Sequence, residues 1–275
     1  PLLGFPVCYR PEGAAVTALS GEQVLVLSPA EREALFRRGV LLDSRAAECL
    51  LELGEGARAG LVGRRDPAPA VQEVVTDRRF GALAGDPINI RWEGVPAQFE
   101  WAKGVRFASK LIDYSGREAG RGVALYENAA GGRVAVFPYD GQIPSTFSIG
   151  MQYRPYLSPG FISWPRQAQL ADIVAWLGRG RAPLAVLGAA DLYPFWVEQP
   201  GRMVVGLTLL GADPVEAVEV TLPAPAMRPT VWRMLDDRGR WRTVRSPVIR
   251  VERGRWRLRL AGGWDYLQTR VWRAE

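Results

Sequence analysis

Phe137-Pro138-Tyr139-Asp140-Gly141-Gln142 sets an aromatic ring, a carboxylate and a carboxamide close together in the chain. Sugars are recognised by that mixture. An aromatic face packs on a pyranose ring, while carboxylates and amides bond its hydroxyls. The run follows a predicted strand, and α/β sheets place ligands at strand ends. Tyr153, Tyr156 and Trp164 lie shortly behind it. Tyr139, Asp140, Gln142, Tyr153, Tyr156 and Trp164 therefore form a first candidate ligand-binding group. The plainer alternative is an irregular packed loop. A second cluster contains Trp92, Glu93, Glu100 and Trp101. Its two carboxylates have the chemistry of an acid/base pair, and Trp92 and Trp101 that of a sugar platform. The alternative is a set of loop charges beside core tryptophans.

Other chemistries are excluded by composition. The 275 residues contain no histidine. That removes Ser-His-Asp and Cys-His triads and every imidazole-dependent metal site. Only Cys8 and Cys49 are present, too few for a disulfide framework or a zinc ligand set, and a reducing, cytoplasmic setting is expected. Lys103 and Lys110 are the only lysines, so a Schiff-base mechanism has two candidates. Gly116-Arg117-Glu118-Ala119-Gly120-Arg121-Gly122 is glycine-rich but lacks the Lys-Ser/Thr ending of a phosphate loop. No catalytic residue, metal site or cofactor is assigned. No apolar run approaches the roughly 20 residues of a membrane span. The chain begins with Pro1 rather than Met, which fits processing or a piece of something longer.

The net charge is +6, and it is uneven. Between Arg228 and Glu275 there are 13 Arg and 5 acidic residues. Nucleic acid could meet such a lobe. The alternative is the solvated face of a sheet, and Arg255, Arg257 and Arg259 do alternate with Trp256, Leu258 and Leu260, the two-residue period of a strand. A nucleic-acid partner is therefore not favoured.

The elements that must position the candidates read as follows. Val24–Leu27 is an expected strand. Ser28-Pro29-Ala30-Glu31 is a capping box with proline at the first helical position, so a helix starts there and stops near Gly39. Val40-Leu41-Leu42 is the next strand, and Asp43 or Ser44 caps a helix that buries Ala46, Ala47, Leu50 and Leu51 and ends at Gly54. Strand–helix alternation predicts a parallel sheet. Residues 66–130 read as an antiparallel insertion, with a hairpin turning at Ala129-Ala130-Gly131-Gly132. Leu170, Ile173, Val174 and Leu177 place a helix after Trp164-Pro165. Seven short strands after residue 184 suggest a sandwich: Leu184–Leu187, Met203–Leu209, Ala217–Leu222, Val231–Leu235, Val248–Glu252, Arg255–Leu260 and Tyr266–Trp272. The expected fold is thus an α/β domain over 1–183, with the insertion at about 66–130, and a C-terminal antiparallel β-sandwich over 184–275.

Gly39-Val40-Leu41-Leu42-Asp43-Ser44-Arg45-Ala46-Ala47 and Gly131-Gly132-Arg133-Val134-Ala135-Val136-Phe137-Pro138-Tyr139 resemble segments of the amidotransferase-like domain of bacterial glycoside hydrolases related to the trimeric β-galactosidases. The helix ending Ala175-Trp176-Leu177-Gly178-Arg179-Gly180-Arg181, followed by Pro183, is similar too. Val204–Leu210 with Asp213-Pro214-Val215-Glu216 resembles the opening of their terminal β-sandwich. The resemblance implies an incomplete flavodoxin/amidotransferase-like domain. It implies a catalytic barrel upstream that carries the catalytic glutamates, none of which is matched here. It implies an accessory role in oligomer assembly and in shaping the substrate site. The alternatives are a carbohydrate-binding module that uses the aromatics above, and a nucleic-acid-associated protein that uses the Arg-rich sheet.

Overall fold

The computed structural model describes residues 14–67, 69–81, 85, 87–90, 95–139, 164–181, 184–188, 192–211, 213–224, 229–252 and 254–275. The described residues divide into two compact units, one running from residue 14 to Arg179 and the other from Gly180 to Glu275. The whole is β-rich, with several separate sheets.

The first unit is built on a five-stranded sheet. β1 (Val16–Leu19), β2 (Gly39–Leu42) and β11 (Arg133–Val136) run parallel, and β11 turns back antiparallel into β10 (Ala124–Glu127) and β7 (Arg106–Phe107). The β10–β11 hairpin is the one the sequence places at Ala129–Gly132. Between β1 and β2 lie α1 (Gln23–Val26) and α2 (Pro29–Leu35). The Val24–Leu27 strand expected from sequence is therefore a helical turn. Val24 is fully buried while Val26 is 83 % exposed, a one-sided burial that a strand inside a parallel sheet does not show. The parallel partner of β2 is β1 instead.

Ser28 caps α2 as its sequence predicts. Its hydroxyl accepts from the Glu31 amide at 3.3 Å, and Glu31 accepts from the Ser28 amide at 2.7 Å. Gly39 does not end this helix; it opens β2. Its small size is needed because a Cβ there would lie 2.5 Å from the Leu177 carbonyl oxygen. α3 (Ser44–Glu52) is capped by Asp43, which accepts from the Ala46 amide at 2.7 Å and from the Gly21 amide at 2.9 Å. Gly54 follows in the left-handed region, as expected.

Val40, Leu42, Val134 and Val136 face α3 and share a core with Ala46, Ala47, Cys49 and Leu50. α4 (Trp164–Leu177) covers β2 and β11, burying Leu170, Ile173 and Leu177, and also packs against β5 (Pro87–Asn89). β5 belongs to a four-stranded antiparallel sheet with β4 (Gln72–Val75), β8 (Ser109–Ile112) and β9 (Glu118–Arg121). β3 (Leu61–Arg65) and β6 (Gln98–Trp101) pair as a separate ribbon. Residues 66–130 are thus largely antiparallel, but β7 and β10 within them extend the parallel sheet.

The second unit has two antiparallel sheets around one core. One contains β12 (Ala185–Leu187), β15 (Val215–Pro223), β19 (Arg255–Trp264) and β18 (Val248–Glu252). The other contains β13 (Leu192–Gln199), β14 (Arg202–Leu209), β20 (Thr269–Ala274), β16 (Trp232–Leu235) and β17 (Trp241–Val244). Leu184, Val186, Val205, Leu207, Val220, Leu258, Trp232, Trp256, Trp264 and Trp272 fill the space between. β13 and β17 are not among the strands read from sequence. β13 carries Pro194, which argues against a central strand. Among the described residues it is an edge strand, paired with β14 alone, where a missing amide hydrogen is tolerated.

No helix among the described residues is long and apolar enough to cross a membrane.

Candidate functional site

The most concentrated polar chemistry lies in the interior of the first unit. β4 presents Glu73 and Val75 inward, by the two-residue period of a strand, so a carboxylate enters the core. On α4, Arg166 and Gln169 are three residues apart and share the face that buries Leu170 and Ile173. Tyr139 follows β11. Its backbone is fixed by a bond from the Ser44 amide to its carbonyl at 2.9 Å, and the Ala97 amide donates to the preceding Pro138 carbonyl at 2.7 Å.

These side chains converge. Arg166 Nη2 donates to Glu73 Oε2 at 2.7 Å, and Gln169 Nε2 donates to Glu73 Oε1 at 2.7 Å. Arg166 Nη1 donates to Gln169 Oε1 at 2.5 Å. The Tyr139 hydroxyl donates to Glu73 Oε2 by a short bond. The Ser109 hydroxyl also bonds the carboxylate, while Ser109 Oγ accepts from the Val123 amide at 2.8 Å. The guanidinium carbon lies 5.5 Å from the Phe137 ring centre and 5.2 Å from that of Tyr139, a cation–π arrangement. Glu73, Ser109, Tyr139, Arg166 and Gln169 are all buried.

Burial opposes ionisation of Glu73. The Arg166 charge and the bonds from Arg166, Ser109 and Tyr139 outweigh it, and the carboxyl is held below its ordinary value. Burial, with the Glu73 charge beside it, pushes the Tyr139 phenol well above its own. The cluster is therefore a closed ion pair with a neutral phenol. It binds α4, β4, β8 and the end of β11 together. Its carboxylate is shut away from solvent. Its chemistry is positional.

Of the candidate residues that fall among the described ones, Tyr139 enters this cluster and Trp101 and Glu100 do not. The Tyr139 ring is 1 % exposed and offers no face to a sugar. Trp101 is half-buried and packs edge-on against Phe99 and Phe107, with ring centres 5.6 and 5.7 Å away. Among the described residues these neighbours differ from those of Tyr139, so the two aromatics do not form one platform. Glu100 is exposed, with Arg65 at 3.9 Å. Trp164 opens α4, and its side chain lies outside the described residues, as do Asp140, Gln142, Tyr153, Tyr156, Trp92 and Glu93. Among the described residues no group of three or more Cys, Asp or Glu is placed to hold a metal. Glu73, Ser109, Arg166 and Gln169 were missed by sequence reasoning. The available signals were a glutamate at an inward strand position and two polar residues on the apolar face of α4.

Over 95 % of its length the chain is similar in structure to the α-L-fucosidase isoenzyme 2 from Paenibacillus thiaminolyticus, with a TM-score of 0.59 and 13 % identity. It spans 40 % of that fucosidase. The β-galactosidase from Bacillus circulans sp. alkalophilus is a more distant neighbour, with TM-score 0.43, 11 % identity, and coverage of 95 % of this chain and 41 % of that one. So is the β-galactosidase from Rahnella sp. R3, at TM-score 0.42, 9 % identity, and coverage of 94 % and 40 %. At 13 % identity the likeness to the fucosidase is one of fold alone. No family model matches the sequence, and neither does any curated protein.

Proposed function

We propose that this chain is a non-catalytic C-terminal portion of a glycoside hydrolase. Its first unit is an incomplete amidotransferase-like domain carrying a β insertion, and its second is a terminal β-sandwich. Its partners are the upstream catalytic barrel of the same polypeptide and further copies of itself, and its task is assembly and the shaping of the substrate site. The observation that carries this reading is the fold likeness to 40 % of a fucosidase over nearly the whole of this chain. The three parallel strands β1, β2 and β11, with α3 and α4 on their two faces, support the α/β assignment. The sealed Glu73–Arg166 cluster supports a structural role, because it places the strongest polar network among the described residues where it stiffens a scaffold.

The test is turnover by the purified 275-residue chain on a panel of aryl glycosides, fucoside and galactoside included. No hydrolysis is expected. Robust turnover abolished by Glu93→Gln or Glu100→Gln overturns the proposal and makes this chain a hydrolase in its own right. Sedimentation of the same sample reports whether it self-associates.

A further inference from the structure

The solvent face of the β12–β15–β19–β18 sheet is rich in arginine. Burial alternates along β19, with Trp256, Leu258 and Leu260 in the core and Arg255, Arg257 and Arg259 outside. In the β18–β19 ladder Arg250 stands directly opposite Arg257. Like charges facing each other across a ladder destabilise it. The sequence-predicted alternation accounts for why arginines point outward. It does not account for two of them being placed in register.

The neighbouring sheet shows what compensation looks like. There Arg233 stands opposite Arg273. Glu275 takes both, at 3.1 and 3.0 Å, and Arg202 at 3.4 Å. On the β18–β19 face the candidate for the same task is Glu219, whose registered partner on β19 is Arg259. It leans diagonally to Arg257 instead, accepting from Nε at 3.0 Å and from Nη2. Arg250 and Arg259 are both exposed and have no ion-pair partner among the described residues. They are diagonal neighbours across the ladder, a relation that puts their Cα atoms about 7–8 Å apart. Two guanidinium forks at that separation can converge on one oxyanion.

We infer that Arg250 and Arg259 form an anion site for the carboxylate of an acidic sugar in a polysaccharide, with Glu219 and Thr221 beside it receiving or giving hydroxyl hydrogen bonds. Glu219 is what selects the ligand. Its oxygens, held in place by Arg257, accept from sugar hydroxyls, and deoxyribonucleotide backbones carry no hydroxyl to donate to them. A uronic acid brings an anion and donors together on one ring. Two guanidiniums also give nucleic acid little to gain, since salt-dependent affinity grows with the number of phosphates neutralised. The choice of a glycan rests on the glycoside-hydrolase reading above.

Fluorescence anisotropy of dye-labelled hexagalacturonate titrated with the whole chain tests this, with labelled maltohexaose and a short single-stranded DNA as comparisons. Saturable binding of hexagalacturonate is expected, with none of maltohexaose and weaker binding of DNA. The double variant Arg250→Gln/Arg259→Gln should weaken binding by about tenfold or more, since two charge-assisted contacts are removed. Arg238→Gln/Arg240→Gln removes the same charge at the exposed β16–β17 turn and should change it less than about twofold. All four positions are exposed, so unchanged melting temperatures check that the folds are intact. Equal losses in both double variants reduce the effect to net charge and overturn the site. Absence of hexagalacturonate binding, or tighter binding of DNA, overturns it as well. None of these outcomes depends on aryl-glycoside turnover, so failure of this site and failure of the hydrolase-portion reading remain distinguishable.

Discussion

The Glu73 carboxylate and the Arg166 guanidinium meet at 2.7 Å inside the first unit, 93 residues apart in sequence, with side chains 0 and 1 % exposed. A buried pair of this kind adds little over an apolar pair of the same shape, but losing one partner leaves the other charged and without water. The surrounding bonds from Gln169 and Tyr139 complete the carboxylate's shell.

Glu73→Gln keeps the shape and removes the charge, and it should destabilise the first unit by about 3–5 kcal/mol, measured by urea unfolding. Glu73→Leu combined with Arg166→Met should recover much of that loss, because no ion is then left stranded. Tyr139→Phe removes one donor to a charged acceptor and should cost about 1.5–3 kcal/mol. If Glu73→Gln proves neutral, the cluster does not clamp the unit.

The same pair sets an acid limit. The folded Glu73 value lies below the ordinary 4.5, so the unfolded chain takes up its proton first as pH falls. The stabilisation is fully present above about pH 4.5 and is lost as pH drops through the folded value. The stability difference between the parent chain and Glu73→Gln should therefore be constant from pH 7 to 5 and shrink below about 4.5. Tyr139 acts at the other end. Its raised value means its contribution is complete below about pH 10 and fades above it, as the folded phenol finally ionises. Urea titrations across pH read both limits. A difference that stays flat to about pH 3 would contradict the assignment.

Two glycines separate backbone from side-chain obstruction. A Cβ on Gly132 would fall 1.8 Å from the Phe36 carbonyl oxygen, at a turn where Asn128 Nδ2 donates to that same oxygen at 2.8 Å. A Cβ on Gly206 would fall 1.8 Å from Cζ of Phe195, the far end of a side chain able to swing outward. Gly132→Ala should cost at least about 3 kcal/mol and Gly206→Ala about 1–2 kcal/mol. In the second variant the Phe195→Ala background should remove most of the cost. Calorimetric melting of the single and double variants gives the ranking, and the reverse order would refute it.

What could be read from sequence was whatever is decided within a few residues. The Ser28–Glu31 box, the β10–β11 turn and the outward arginines of β19 are local choices of hydrogen bonding or of period, and they stand in the structure as written, while of the two caps open before α3 it is Asp43 that is used. Val24–Leu27 was illegible because four apolar residues fit a strand and a buried helical turn equally well. β13 was hidden by Pro194, whose meaning depends on the strand lying at a sheet edge. The Glu73 cluster was hidden for a deeper reason. A glutamate between Gln72 and Val74 looks solvent-facing until an arginine almost a hundred residues later supplies its counter-charge.

Cys49 offers a test of whether that cluster and the α3 core open together. Its side chain is fully buried on α3. Burial pushes the thiol up, against the opposing pull of Arg45. Only an exposed thiolate attacks a disulfide reagent and releases its thiolate, so labelling in a Cys8→Ser background must wait for the unit to open. Under fast reclosing the labelling rate follows the open population, and each 1.4 kcal/mol of lost stability is about tenfold in that population. If Glu73→Gln removes about 3 kcal/mol from one cooperative unit, Cys49 should react about 100-fold faster in that variant. Cys49 lies in the core between α3 and the parallel sheet, while Glu73 lies on β4 of the antiparallel sheet. The acceleration would therefore mean that α4 couples the two sheets through Arg166. An unchanged rate, alongside a lower urea midpoint, would mean that the antiparallel sheet opens by itself and leaves the α3 core shut.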